Sequence, residues 1–276
     1  MNWAMKNELR RACLSPAFAG AILVGVALAL ANVLLIAFPY ATSDVWSAWR
    51  AGAKASYPIS FHHSWMGQTS FSVTTVMFYW LVPLLACVPF AASLSDDISS
   101  HYADQIIVRV GKHRYFSAKL VASAVSAALV VSFPLVLNIA AVACLVPDIP
   151  PEPAAGTFYV APNTMLVDLF YNTPWVYVAL FVIMAAVLGS VCAIASCCIS
   201  FVVRSRLVAL LTPFGVCAFI QLAFQGTVLA GFSPLNVILP YQPFPSIFLI
   251  VCLCFILSSA ALLFFFAYKG SRYESV

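Results

Sequence analysis

Cysteine is the residue type with the most evident potential for chemistry in this chain, and it occurs nine times. The adjacent pair Cys197-Cys198 and the spaced pair Cys252-x-Cys254 have the proximity that redox or metal chemistry needs. All nine thiols, however, lie within or beside long apolar stretches, where cysteine usually acts as a small hydrophobic side chain. We therefore expect neither a structural disulfide nor a cysteine-based metal site.

Two adjacent histidines, His62 and His63, stand near three tryptophans, Trp46, Trp49 and Trp65. Without a nearby Cys, Asp or Glu, two histidines supply too few ligands for a zinc site. Tryptophans clustered in a loop are more typical of an aromatic belt at the level of lipid headgroups. A ligand site in this loop is the alternative.

Motifs of hydrolases and nucleotide-binding proteins are missing from the sequence, which contains no H-E-x-x-H and no G-x-S-x-G. Gly111-Lys112 does not end a Walker A motif, because His113 replaces the required Ser or Thr and Ile106 occupies the first glycine position. We expect no enzyme activity, no ATP site and no metal or other cofactor in this chain.

The composition of the chain indicates the kind of structure that must hold these residues. Of 276 residues, 63% are hydrophobic and only 8% are charged, whereas soluble domains carry about 25% charged residues. The charges leave long uncharged stretches, at positions 12–43, 55–95, 120–147, 169–203 and 207–268. A helix needs about 20 such residues to cross roughly 30 Å of hydrocarbon. The sequence therefore predicts an all-α polytopic membrane protein.

The last uncharged stretch is long enough for two crossings and a connector, so six transmembrane helices are the simplest count. We expect one transmembrane domain, residues 1–276. The predicted spans are Ala17–Phe38, Phe71–Ala92, Ala118–Val146, Pro174–Val203, Leu207–Leu229 and Ser246–Tyr268.

Basic residues predict the orientation. With six crossings both termini share a side, and that side holds all of the 13 basic residues except Arg50 and Lys54. The opposite loop at 147–173 carries Asp148, Glu152 and Asp168 without any Lys or Arg. The positive-inside rule then places both termini in the cytoplasm of a multi-pass protein of the cell membrane. Because topology explains the net charge of +4, we expect no nucleic-acid partner.

Three shorter segments have patterns of their own. Residues 1–16 place Met5, Leu9 and Cys13 on one helical face, which predicts an amphipathic interfacial helix, with a disordered basic leader as the alternative. Small residues recur every fourth position at Ala185, Gly189, Ala193 and Cys197, which favours close helix packing. The proline-broken, uncharged connector at 231–246 favours a re-entrant outer segment before the last span.

The cytoplasmic segment 96–116, between spans two and three, is a charged island in an apolar chain. Ile98, Tyr102, Ile106 and Val110 recur every four residues, and Gly111 can end a helix there. We predict one amphipathic helix of about three turns, capped by Asp96 or Asp97. Lys112, Arg114 and Lys119 are expected to anchor at anionic headgroups. An interfacial helix without any partner is the alternative.

Within the predicted spans no ionisable residue lies near the middle, where carriers driven by protons or sodium often place one. The buried polar groups are instead amides. They either line a transport pathway or bond between helices, and they are Asn32, Asn138, Gln221 and Gln225.

The whole chain resembles, in topology, the permease subunits of ABC-2 type transporters. The resemblance in sequence covers some 25 residues: Asp96-Asp97, a helix through Arg109, then Arg114-Tyr115 and Lys119. The N-terminal helix resembles the elbow helix of that family, and the connector before the last span resembles its outer re-entrant helices. Where the family often has a Gly-Thr pair at the helix start, this chain has Ser100-His101.

The resemblance implies a membrane subunit that pairs with a second permease chain, the same or related, and sits on separate ATP-binding subunits. ATP and Mg²⁺ would be held by those subunits, and their closure would alternate access to a central path. The apolar spans favour export of a hydrophobic or amphipathic substrate such as a lipid, a drug or an antimicrobial peptide. The docking candidates are Asp96, Asp97, Tyr102, Asp104, Gln105, Arg109 and Arg114.

Two other functions remain open at this point. The chain could be a non-transporting membrane scaffold whose inner loop recruits a different cytosolic partner, or an ATP-independent carrier. The absence of charge in the middle of the spans weighs against the carrier.

Overall fold

The computed structural model describes residues 3–42, 60–69, 72–91, 93–151, 160, 165–203, 205–241, 244 and 246–273. Within these ranges every regular element is a helix. Several residues discussed above lie outside the described residues, namely Trp46, Trp49, Arg50, Lys54, Glu152 and Arg204, together with parts of the connector before the last span.

The N-terminal helix α1, Trp3–Cys13, leads almost directly into α2, Pro16–Asn32. Ser15 sets the boundary between them, because its hydroxyl oxygen accepts a hydrogen bond from the backbone N–H of Phe18 at 3.1 Å and Pro16 needs no partner for its nitrogen. A π-helical turn, Val33–Ala37, and α3, Phe38–Ala41, continue the same run. The result is a single apolar helix over Pro16–Ala41.

The remaining helices follow in chain order. They are α4 (Phe61–Ser64), α5 (Val73–Cys87), α6 (Ser93–Ser99), α7 (Tyr102–Val110), α8 (Lys112–Leu145), α9 (Val167–Asn172), α10 (Pro174–Ser200), α11 (Arg206–Phe224), a 3₁₀ turn (Val228–Phe232), α12 (Pro234–Val237) and α13 (Phe248–Ser271).

Five helices in the described ranges are long and apolar enough to cross a membrane: the run Pro16–Ala41, α8, α10, α11 and α13. These helices make the chain an all-helical, multi-pass membrane protein in architecture. The stretch expected to form span two contains α5, which has only 15 residues and rises about 22 Å. Its helix ends at Cys87, shortly before Pro89, which lacks the N–H that a continued helix needs. The count of six crossings stays a prediction.

The chain order places two sets of elements at opposite ends of the bundle. One set, which we call the basic end, comprises α1, α6, α7, the start of α8 and the end of α13. Arg206 at the start of α11 lies 3.2 Å from Asp96 of α6, and Lys112 donates to the backbone carbonyl of Tyr273 just beyond α13. At the opposite end, the N–H of Phe61 donates to the carbonyl of Pro147 at 3.1 Å.

Helix α10 is the centre of the bundle and packs against α5, α8, α11 and α13. Its small-residue ridge, Ala185, Gly189, Ala193 and Cys197, is fully buried. A side chain at Gly189 would place Cβ 2.9 Å from Val131 Cγ2 of α8. Small residues at these positions therefore let α10 approach α8 closely.

Gly25 of α2 provides a test of this close packing, because a Cβ there would lie 2.6 Å from Pro134 Cγ on α8. We predict that Gly25→Val lowers the free energy of unfolding by about 1–3 kcal/mol through overpacking. Gly20→Val on the same helix is the control, since nothing lies within 4 Å of the added Cβ. Thermal unfolding in detergent measures both variants, and equal losses would contradict the packing account.

Candidate functional site

The segment predicted as one amphipathic helix is two helices, so that prediction is wrong. His101 adopts a left-handed backbone, with φ of 57°, and separates α6 from α7. The hydroxyls of Ser99 and Ser100 donate to the carbonyl of Asp96, which competes with continued helix formation. Asp96 and Asp97 therefore lie inside α6 rather than capping a helix. Gly111, with φ of 90°, ends α7 as predicted.

Asp97 is the electrostatic centre of the basic end. Asp97 is only 3% exposed, and its carboxylate accepts hydrogen bonds from three side chains on two other helices. Arg11 of α1 donates from Nη2 to Oδ1 at 2.9 Å. On α8, Lys119 Nζ lies 2.5 Å and the Tyr115 hydroxyl 2.7 Å from Oδ2. The carboxylate thus joins α1, α6 and α8.

Glu8 of α1 completes this cluster. It is 2% exposed, and its two oxygens lie 3.0 Å from Arg11 Nη1 and 3.3 Å from Lys119 Nζ. We call Glu8, Arg11, Asp97 and Lys119 the ionic brace. Two acids and two bases leave the brace neutral, which is the condition under which buried charges are tolerated.

Aromatic rings cover the cations of the brace. Lys119 Nζ lies 4.2 Å from the centre of the Phe90 ring, and Arg11 Cζ lies 4.6 Å from the centre of the Tyr102 ring. Such contacts stabilise cations through the negative face of the ring. Tyr102 is a predicted docking residue, and the structure places its ring beneath Arg11.

Neighbouring charges favour the ionised forms of Asp97 and Arg11. Burial by itself would raise the pKa of Asp97, but the hydrogen bonds and charges of Arg11 and Lys119 outweigh burial and lower it. Burial would likewise lower the pKa of Arg11, yet the carboxylates of Asp97 and Glu8 raise it overall. Asp97 and Arg11 are therefore both charged at neutral pH and form an ion pair.

Two sequence expectations change because of this network. Lys119 was expected to anchor at headgroups, but it is fully buried, because Glu8 and Asp97 provide its counter-charges. A helix, α1, forms within residues 1–16, but the face that it buries is Ala4, Glu8 and Ala12, and its position at the membrane interface stays a prediction. Glu8 and Arg11 were missed as functional residues. Their signal was the lone acid, one turn from an arginine, in an otherwise basic N-terminus.

The other predicted docking residues divide between inner contacts and solvent. Asp104 accepts from the Tyr273 hydroxyl at 3.0 Å and contacts His101 at 3.1 Å. Asp96 is paired with Arg206, and Arg114 is exposed at the start of α8.

One face of α7 remains fully open. It consists of His101, Gln105, Val108 and Arg109, all exposed, and we call it the α7 stripe. Val108 is 82% exposed at its centre, and sequence reasoning missed both Val108 and His101. Gln105 and Arg109 are the predicted docking residues that the stripe contains.

The candidate pathway residues Asn32 and Asn138 bond between helices. Both are buried; the Asn138 amide donates to Asn32 Oδ1 at 3.2 Å, and its oxygen accepts from the N–H of Met66 at 2.8 Å. Asn32 in turn donates to the hydroxyls of Thr74 and Thr75 at 3.2 and 3.3 Å. This network ties α2 and α8 to the segment that enters α5.

Gln221 connects α11 to the connector that follows it. Its amide donates to Asn236 Oδ1 at 2.9 Å, and its oxygen accepts from the Ser233 hydroxyl. Asn236 also donates to the carbonyl of Ala230 at 2.8 Å. The polar side chains of Ser233 and Asn236 in the connector are thus hydrogen-bonded within the protein, while entry of the connector into the bilayer stays a prediction. Gln225 is exposed at the end of α11.

An apolar cavity of about 310 Å³ lies between α10, α11, α13 and the connector. We call it the apolar chamber. Cys192, Pro213, Cys217, Phe232 and Phe255 are among its lining residues.

The hydroxyls that line the chamber already donate hydrogen bonds to backbone carbonyls. Thr212 donates to the carbonyl of Val208 and Ser258 donates to that of Phe255. Val216, Cys254 and Ser258 are both lining and exposed, so the chamber reaches the side of the bundle. It can accept hydrocarbon but offers little to a hydrated ion.

The histidine loop forms a small aromatic cluster at the end opposite the basic end. His62 is fully buried, with Nε2 2.9 Å from Asp148 Oδ1. Trp175 donates to Asp148 Oδ2 at 2.8 Å and stacks on Phe61 at 4.5 Å between ring centres. Among the described residues, no group of three or more His, Cys, Asp or Glu is arranged to hold a metal.

Comparisons of this chain with protein-family models, with curated proteins and with solved structures found no match.

We predict that Asp97→Asn lowers the free energy of unfolding by about 3–5 kcal/mol, because Arg11 and Lys119 lose a buried counter-charge. Asp96→Asn is the matched control and should cost less than about 1 kcal/mol, since Asp96 is 48% exposed and pairs with an exposed arginine. Thermal unfolding of the purified chain gives both values, and equal losses would contradict the brace.

The loss of stability caused by Asp97→Asn should depend on pH, because the pKa of Asp97 is lowered in the folded chain. A carboxylate with a lowered pKa contributes stability above its unfolded value, ordinarily 3.8, and loses it as pH falls through the folded value. The difference between wild type and Asp97→Asn should therefore stay constant between about pH 5 and 8 and shrink only below pH 3.8.

The buried His62, at the end opposite the basic end, predicts a second dependence of folding stability on pH. Burial lowers the pKa of His62 from its ordinary 6.5, although Asp148 opposes the shift. The folded chain then binds this proton less readily than the unfolded chain, so stability falls as pH drops below 6.5. We expect His62→Gln to flatten the profile of stability against pH between about pH 6.5 and 5, and thermal unfolding of both chains across that range measures the two slopes.

Proposed function

We propose that this chain is the permease subunit of an ATP-driven ABC exporter for a hydrophobic or amphipathic substrate. The observation that carries this proposal is the ionic brace. It fixes an exposed, short helix pair rigidly to the membrane helices, which is what a subunit driven from outside its own chain requires. A loop that only connected two spans would need no such fixation.

The brace and its neighbours offer a mechanical route from α7 to the spans. Gly111 is the only residue between α7 and α8. Through Asp104, α7 is bonded to Tyr273 at the end of α13, and Lys112 of α8 donates to the carbonyl of the same Tyr273. A force applied to the α7 stripe would therefore reach α1, α8 and α13 together.

The energy source would be a separate ATP-binding subunit that holds ATP and Mg²⁺ and docks on the α7 stripe. The sequence supports this division because it lacks a Walker A motif, and the resemblance to ABC-2 permeases supports a second permease chain as partner. The basic residues of the basic end support a cytoplasmic position for that end and for both termini, in the cell membrane.

The apolar chamber supports the class of substrate. It lies between helices that meet lipid on their outer faces, and its lining hydroxyls already have partners. An acyl chain or another apolar group can enter it from the side without losing hydration, whereas an ion would find no ligands. A lipid, an apolar drug or an amphipathic peptide would fit this requirement.

The docking step can be tested with a photo-crosslinking amino acid at Val108 in the native host cell. We predict a crosslink between position 108 and an ATP-binding subunit, identified by mass spectrometry. Val73 is the control site, because it is an equally apolar residue, 67% exposed, at the other end of the bundle. The purified complex should hydrolyse ATP, and Val108→Asp should abolish both co-purification of the ATP-binding subunit and that activity.

Other outcomes would favour the other functions. A stable crosslinked partner that binds no nucleotide would favour a scaffold. Substrate movement by the purified chain alone in proteoliposomes would favour an ATP-independent carrier. Crosslinking at position 73 but not at 108 would contradict both the docking surface and the orientation.

A further inference from the structure

A second apolar groove of about 270 Å³ lies between α8 and α13 at the basic end. Phe116 and Leu120 of α8 and Leu263, Phe266 and Gly270 of α13 form its walls. Gly270 permits the close approach of the two helices, because a Cβ there would lie 3.1 Å from Phe116 Cδ2. We call this cleft the α8–α13 groove.

The groove has the length and position of a lipid chain. Its lining residues on α8 run from 113 to 121, which is about 12 Å along the helix axis. One leaflet of a bilayer contributes about 15 Å of hydrocarbon. Leu263 and Val121 at its edges are 43% and 37% exposed, so the groove opens toward the side of the bundle, where lipid would surround it.

Positive charge is concentrated at the end of the groove where a lipid headgroup would lie. His113 lines the groove mouth, and Arg114 follows it on the first turn of α8. Both side chains are exposed. Across the part of the chain that the structure describes, no carboxylate pairs with either of them.

A base and an acid lie near this mouth and both already have partners. Lys112 donates a hydrogen bond to the backbone carbonyl of Tyr273. Asp104, the acid of α7, accepts a hydrogen bond from the Tyr273 hydroxyl and contacts His101. The first turn of α8 contains no acid, and Gly111 before it offers no side chain to cap the helix. The free backbone N–H groups of this first turn of α8 therefore add to the positive electrostatic potential that favours an anion.

We propose that the α8–α13 groove binds an anionic glycerophospholipid, with one acyl chain against Phe116 and Phe266 and the phosphate at His113 and Arg114. The apolar cleft accounts for the acyl chain, and the guanidinium of Arg114, which pairs with no carboxylate among the described residues, accounts for the preference for a negative headgroup. The bound lipid bridges the start of α8 and the end of α13, beside the contacts that hold α7. This inference does not depend on an ATP-binding partner.

Lipid binding to the chain in detergent, measured by native mass spectrometry, tests the proposal. Phosphatidylglycerol should bind at least about tenfold more tightly than phosphatidylcholine with the same acyl chains, since the exposed guanidinium of Arg114 and the nearby Lys112 favour a headgroup with net negative charge over one that carries a choline cation. Arg114→Gln should weaken phosphatidylglycerol binding about fivefold. Arg10→Gln, which removes an exposed charge elsewhere at the basic end, should leave it unchanged.

The chain-binding half of the proposal has its own pair of variants. Ala267→Trp should fill the groove and remove the preference for phosphatidylglycerol, whereas Ala261→Trp, on the same helix but outside the groove, should preserve it. Both positions are exposed, so folding should persist.

Three results would overturn the lipid site. They are equal binding of the two lipids, equal weakening by Arg10→Gln and Arg114→Gln, and displacement of the lipid by inorganic phosphate at equal concentration. The last result would show a site for free anions. Because no ATP-binding subunit is present in the experiment, a failure here leaves the proposed permease function untouched, and a failed crosslink at Val108 leaves the lipid site untouched.

Discussion

A carboxylate removed from water must find positive charge within its own protein, and the basic end of this molecule is built around that requirement. Asp97 is buried on α6, and its oxygens are matched by Arg11 from α1 and by Lys119 and Tyr115 from α8. Glu8 balances the second cation. Since removal of any one charge would leave the buried network with a net charge, the three elements are fixed as a unit.

The two ends of the bundle use different means of fixation. A network of ion pairs holds the basic end, whereas the other end is held by amides and hydroxyls around Asn32, Asn138 and Gln221 and by the contacts of Asp148 with His62 and Trp175. Neutral hydrogen bonds give less energy per contact but carry no large desolvation cost. Between the two ends, small residues on α10 permit close packing, while one cavity lies between α10, α11 and α13 and the other between α8 and α13.

Sequence patterns predicted some of the site correctly and missed other parts for identifiable reasons. Gly111 ends α7, as its position after an apolar periodicity predicts. The break at His101 was missed because the four-residue repeat continues through it, and periodicity cannot detect a single left-handed residue. Tyr102 and Asp104 were expected at a docking surface, but packing turned both toward the protein. Exposure of Val108 depends on which face α7 buries.

The sequence by itself determined the class of structure and the distribution of charge. Uncharged stretches of sufficient length require membrane helices, because unpaired backbone groups and charges are too costly in hydrocarbon. Only the tertiary structure decided which charges meet. Glu8 and Lys119 are 111 positions apart, and no local pattern predicts their contact, because it depends on how α1 crosses α8. The same packing turned Lys119 from an expected lipid anchor into an internal counter-ion and left Arg114, one and a half turns earlier on that helix, facing outward.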